Sequence, residues 1–159
     1  IMKVLAGLPL VLIASLINCK GSANLSEGQT TSETQVRVVL DEQGDTVVLE
    51  THKDGMYDGL FKSYYPGNKL NVLAYYKENK LEGWVKRYYE TGELMEEVYF
   101  EANEENGPFK EYFKNGILKA KGFYKEGPNE QGTLIIYDSL GAVLRRMECT
   151  MGACYTIRE

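Results

Sequence analysis

Four glycines, Gly59, Gly83, Gly107 and Gly132, recur at steps of 24, 24 and 25 residues, and each opens nearly the same run of residue types. Five residues on stand Tyr64, Tyr88, Tyr112 and Tyr137, and six on stand Tyr65, Tyr89, Phe113 and Asp138. Nine on come Gly92, Gly116 and Gly141, with Asn68 in the first unit, the residue other than glycine that best tolerates positive φ. Eleven on come Leu70, Leu94, Leu118 and Val143, and at sixteen and seventeen the pairs Tyr75-Tyr76, Tyr99-Phe100 and Phe123-Tyr124. Residues 35–58 fit the same frame with Gly44 at the turn, although the aromatics are gone.

Within a unit, strand-forming residues such as Gly83-Trp84-Val85-Lys86-Arg87-Tyr88 lead into Glu90-Thr91-Gly92, and a second strand-like run leads out, which is the sequence form of a β-hairpin. A period of this length marks a repeat array, in which one unit cannot bury its own apolar surface and stacking supplies the core. The expected fold is therefore all-β: tandem antiparallel hairpins, at 35–58, 59–82, 83–106, 107–131 and 132–159, stacked into one elongated twisted sheet. Five hairpins predict ten strands and an extent of roughly 45 to 50 Å at about 4.8 Å per strand. The aromatic pairs should lie near the hairpin bases beside the repeat glycines, with rings covering the gap that a missing side chain leaves. The acidic run at 101–106 reads as a connector, and the irregular last unit, with Asp138 and Glu148-Cys149 in the aromatic slots, reads as a cap.

The pattern Gly-x-x-Lys-x-Tyr-Tyr-x-x-Gly-x-Leu, with its later aromatic pair, resembles the MORN-repeat variant family, which includes bacterial proteins labelled YwqK-type antitoxins. The resemblance covers residues 59–141 well and the flanking units poorly. It implies stacked hairpins and a binding or scaffolding role more than catalysis, and it supplies no catalytic residues to carry over.

Ahead of the array, Lys3 precedes an apolar run from Val4 to Ile17 of the length of a signal h-region, so residues 1–19 read as a secretion signal. Its end, Leu16-Ile17-Asn18-Cys19, resembles a lipobox, with Cys19 the residue that would carry lipid; Asn18 stands where a small residue is usual. Ordinary cleavage after Gly21-Ser22-Ala23 is the alternative. Residues 20–34, rich in Gly, Ser, Asn, Thr, Glu and Gln, read as a flexible tether. The expectation is an exported protein, held to a bacterial envelope membrane through Cys19, or else periplasmic or secreted.

With Thr150 and Ala153 flanking Met151-Gly152, Cys149 and Cys154 would face each other across a two-residue turn, as a disulfide of an exported protein or as two half-buried thiols. The only histidine, His52, has no evident cysteine or serine companion, and the carboxylates cluster in connectors. The sequence therefore predicts neither an enzyme nor a metal or other cofactor. The acidic connector also lacks the ordered ligand positions of a calcium loop.

A binding platform would draw on Trp84, Tyr65, Tyr89 and Phe113 for flat faces and on the column Lys62, Lys86 and Lys110 for charge; core packing and a solvated face are the plainer readings of the same residues. Trp84 stands where other units hold Leu60, Pro108 and Thr133, so the repeat does not demand it. With 18 basic against 23 acidic residues, nucleic acid and bulk anionic membrane are poor partners. The expected function is non-catalytic binding of a protein or glycan at the envelope along the sheet. An antitoxin or immunity protein and a structural spacer are the alternatives, and exposed outer strands would allow a homodimer through sheet edges.

Overall fold

The computed structural model describes residues 32–157, which form a single antiparallel sheet of twelve strands with no helix among them. The strands are β1 (Thr34–Leu40), β2 (Thr46–Lys53), β3 (Met56–Tyr65), β4 (Lys69–Lys77), β5 (Lys80–Leu81), β6 (Gly83–Tyr88), β7 (Leu94–Glu101), β8 (Glu104–Tyr112), β9 (Leu118–Tyr124), β10 (Gly132–Tyr137), β11 (Val143–Thr150) and β12 (Ala153–Thr156). They follow each other across the sheet in chain order, except that the two-residue β5 pairs with β4 beside β6. The sheet is open, with β1 and β12 as its edges.

Two features separate this from ten strands. Residues preceding the repeat glycine run straight into the strand at β3 and β8, whereas a break at Glu82, whose N–H donates to the Tyr75 carbonyl at 3.0 Å, splits β5 from β6. The Cys149 to Cys154 turn then folds back to add β12. The array also begins a little earlier than position 35: Thr34 pairs with Lys53, and Ser32 and Glu33 both hydrogen-bond the Asp54 carboxylate. The signal segment, Cys19 and most of the tether lie outside the described residues.

The acidic stretch is strand rather than connector. Glu101 ends β7, Glu104 opens β8, and the two are direct partners across a turn made only of Ala102 and Asn103. That turn is one of a series: Asp54-Gly55, Glu78-Asn79, Ala102-Asn103 and Met151-Gly152 are two-residue turns, Glu126-Gly127 opens a longer one that includes Pro128, and all these pairs have positive φ, between 49° and 90°. Two successive left-handed residues give the turn whose twist matches that of the flanking strands. Each is stitched to the preceding unit. The Asn103 N–H donates to the Leu81 carbonyl (3.1 Å) while its side-chain Oδ1 accepts from Leu81 N–H (2.7 Å), and Asn79 does the same with Tyr57 (2.9 and 2.8 Å).

Strand alternation gives the sheet two unlike faces. The buried side chains Glu50, Ala74, Val85, Val98, Phe109, Ala120 and Cys149 all fall on one of them, here the core face. Its centre is Val98, Phe109 and Ala120, flanked by Phe100, Tyr124 and Leu134. With one layer only, broad side chains must cover one another. Phe109 and Tyr124 do so by stacking at 4.1 Å, and Phe61 meets Tyr76 edge-on at 5.7 Å.

The aromatic pairs behave as expected in one member and not in the other. Tyr76, Phe100 and Tyr124 lie opposite Gly59, Gly83 and Gly107 on the core face, and in the last unit Cys149 takes that place opposite Gly132 with 0% exposure. The preceding residues, Tyr75, Tyr99 and Phe123, point to the other face, because adjacent residues in a strand always do. The glycines at β3 and β8 have a second reason to lack a side chain. A Cβ on Gly107 would stand 2.7 Å from Tyr99 Cβ, and one on Gly59 would stand 2.9 Å from Thr51 Cγ2, at the bulges where Tyr99 has no partner in β8 and Thr51 none in β3.

Candidate functional site

The face opposite the core, here the open face, carries two parallel rows that run across the strands. In the first, Leu60 pairs with Tyr75, Trp84 with Tyr99, Pro108 with Phe123 and Thr133 with Glu148. The Trp84 and Tyr99 rings meet edge-to-face at 5.5 Å. Tyr75 is 52% exposed and Phe123 is 43% exposed, although both stand in the middle of the sheet.

Two residues along each strand lies the second row. Lys62 pairs with Leu73, Leu73 with Lys86, Lys86 with Glu97, Glu97 with Lys110, Lys110 with Lys121, Lys121 with Ile135 and Ile135 with Arg146. The row is cationic in a chain whose net charge is -5. It is not a uniform rail, because Glu97 sits between two of the lysines, 3.5 Å from Lys86 Nζ and 3.1 Å from Lys110 Nζ, and also accepts from the Tyr112 hydroxyl at 3.2 Å. Burial works to raise the Glu97 carboxyl, but the Lys110 hydrogen bond and charge, the Tyr112 hydroxyl and Lys86 together hold it below its ordinary value. The same hydrogen bond raises Lys110.

Between the rows, at the C-terminal end of the array, lies a shallow depression of about 340 Å³ lined by Pro108, Phe109, Lys110, Lys121, Gly122, Phe123, Gln131, Thr133 and Ile135. Lys121 forms no salt bridge with any described residue.

Of the residues nominated from sequence, Trp84, Lys62, Lys86 and Lys110 share the open face, while Tyr65, Tyr89 and Phe113 do not form a platform. The Tyr65 hydroxyl donates to the Tyr88 carbonyl at 3.1 Å and the Tyr89 hydroxyl to the Tyr112 carbonyl at 2.8 Å, so both phenols bind the next unit. Phe113 occupies the equivalent slot without a hydroxyl. Asp41 and Asp138, in that slot in the outer units, accept instead from the amides of their own turns. The rings that sequence reasoning set down as structural, Tyr75, Tyr99 and Phe123, are the ones on the open face. The available signal was the adjacency of two aromatics: one of each pair must face away from the core.

His52 lies on the core face in a polar cluster, its Nε2 3.2 Å from Glu50 Oε1 and its ring 4.4 Å from that of Tyr57, with Arg37 2.8 Å from the same carboxylate. Burial opposes the charge on Glu50, yet the neighbouring His52, Tyr57 and Arg37 side chains bring its carboxyl below the ordinary range. Arg37 hydrogen-bonds the carboxylate, whereas His52 Nε2, buried and close to it, is not aligned for a hydrogen bond. Cys149 and Cys154 are directly opposite across the last turn, Cα atoms 4.0 Å apart, and are joined by a disulfide. Among the described residues, no group of three or more His, Cys, Asp or Glu side chains is placed to hold a metal ion.

These features define a class: an open, single-layer array of β-hairpin repeats with one packed face and one presented face. Residues 57–78, 81–102 and 105–126 each match the family described as MORN repeat variant, so the three central hairpins are similar to repeats of that kind. Such repeats are commonly protein- or membrane-binding elements and are generally not enzymes. No curated protein matches the chain.

Proposed function

We propose that this chain is a non-catalytic binding protein of the cell envelope, which holds an extended protein or glycan partner against the open face of its repeat sheet. The observation that carries the reading is the pair of rings Tyr75 and Phe123, 52% and 43% exposed in mid-sheet and in one row with the half-buried Trp84 and Tyr99: packing on the core face does not account for them. Export is supported by the apolar run ahead of Cys19 and by the Cys149–Cys154 bond, which persists in oxidising compartments. Anchoring through lipid at Cys19, followed by the polar segment 20–34, would hold the sheet clear of the membrane surface.

The test is site-specific photo-crosslinking in the intact envelope. A crosslinker replacing Tyr75 or Phe123 should capture the partner, and one replacing Arg37 or Arg145 on the core face should not. Equal capture from both faces, or from the core face alone, would refute the reading.

A further inference from the structure

We propose, resting on the open face as the binding surface, that the partner is a linear acidic glycan and that the depression around Phe123 is one of its subsites. A sugar ring has an apolar C–H face that stacks on an aromatic ring and a rim of hydroxyls and acid groups that needs donors and cations. The depression offers that combination. Phe123, 43% exposed, lies directly opposite Pro108; Lys110, Lys121 and Ile135 form the neighbouring row, and Gln131 and Thr133 complete the lining.

The charge at this place is available to a ligand. Lys121 has no carboxylate partner among the described residues, and Lys110 shares Glu97 with Lys86. The acidic group facing the site from the next strand, Glu148, accepts from Thr133 Oγ1 at 3.3 Å, so a ligand carboxylate belongs on the lysine side. The same conjunction recurs two repeats away, where Tyr75 lies diagonal to Lys62, which likewise has no carboxylate partner among the described residues. Equivalent positions in successive units are separated by two strands, about 10 Å, so the row matches a polymer that presents ring faces and acid groups at regular intervals.

A bound peptide strand is the weaker match. It would take its affinity from free backbone groups at a sheet edge, whereas backbone groups beneath this row are spent in the ladder.

The experiment titrates the protein with a hexasaccharide of galacturonic acid, with cellohexaose as the neutral control and with phosphatidylglycerol vesicles as a separate arm, following amide shifts by NMR. Binding of the acidic hexasaccharide with shifts clustered at β8, β9 and β10 is expected, about tenfold weaker in Phe123→Ala and in Lys121→Gln and weakened by salt. Both substitutions are at exposed positions, and unchanged melting of the variants verifies the fold. Lack of binding by the acidic hexasaccharide, binding of cellohexaose equally well, or binding unaffected by either substitution overturns the proposal. Vesicle binding without hexasaccharide binding also overturns it, in favour of a lipid surface. The open-face reading itself fails separately, by the crosslinking outcome given above.

Discussion

The Tyr89 hydroxyl donates a hydrogen bond to the backbone carbonyl of Tyr112, 2.8 Å away in the next repeat, and Tyr65 makes the same bond to Tyr88. Neighbouring hairpins are thus joined through side chains at one rim as well as through the strand ladder. Tyr89→Phe keeps the ring and removes only the bond, so it should cost about 1 kcal/mol of unfolding free energy, and Tyr65→Phe the same. Urea unfolding of the two single variants and the double variant checks this. Ligand binding on the open face should not change.

The repeat glycines should differ in tolerance. Alanine at Gly107 puts a Cβ 2.7 Å from Tyr99 Cβ, an atom fixed to the backbone that cannot swing away, so Gly107→Ala should cost roughly 2 kcal/mol. At Gly116 nothing lies within 4 Å, and Asn68 occupies the corresponding slot with φ 58°. Gly116→Asn should therefore stay within about 0.5 kcal/mol of the parent. Thermal melting of the two variants distinguishes the cases.

Acid should loosen the sheet through Glu50 and Glu97. Both carboxyls are held below their ordinary value in the folded chain, so each contributes stability that is fully present above the unfolded pKa and is lost as pH falls through the folded one. Glu105 runs the other way: burial first, then the neighbouring Glu96, raises it, so its protonation on acidification favours the fold. Denaturant midpoints measured from pH 7 down through the carboxylate range should fall, and Glu50→Gln should flatten that fall.

Reduction of the Cys149–Cys154 bond should have a limited effect. The loop it closes is short, so the chain-entropy estimate is about 2 kcal/mol, at the low end for a disulfide. Melting with and without a reductant measures it. Loss should centre on β11 and β12, leaving amide exchange in β6 to β9 unchanged.

Much of the architecture was legible in the sequence because hairpin repeats write their period in glycine and aromatic residues. Gly83 and Phe100 sit opposite each other because a ring covers a bare backbone, and that relation survives reduction to a string of letters. The turn Ala102-Asn103 was also written there, but its acidic surroundings suggested a connector. What the string did not yield depends on alignment across three strands. Glu97 meets Lys86 and Lys110 only when β6, β7 and β8 are in register, and the reach of the Tyr65 and Tyr89 phenols into the next hairpin has no one-dimensional signature. The open-face row of Tyr75, Tyr99 and Phe123 fell between these cases, visible as adjacency but not as direction.

The two-residue left-handed turns Asp54-Gly55, Glu78-Asn79 and Ala102-Asn103, along one rim, carry the same joint from one hairpin to the next. Excising residues 81–104 would bring Asn79-Lys80 against Glu105 where Asn103-Glu104 had been, joining like to like. A chain with that grammar can gain or shed whole hairpins without devising a new splice, so the length of its open face is free to drift while the local chemistry of each step stays put.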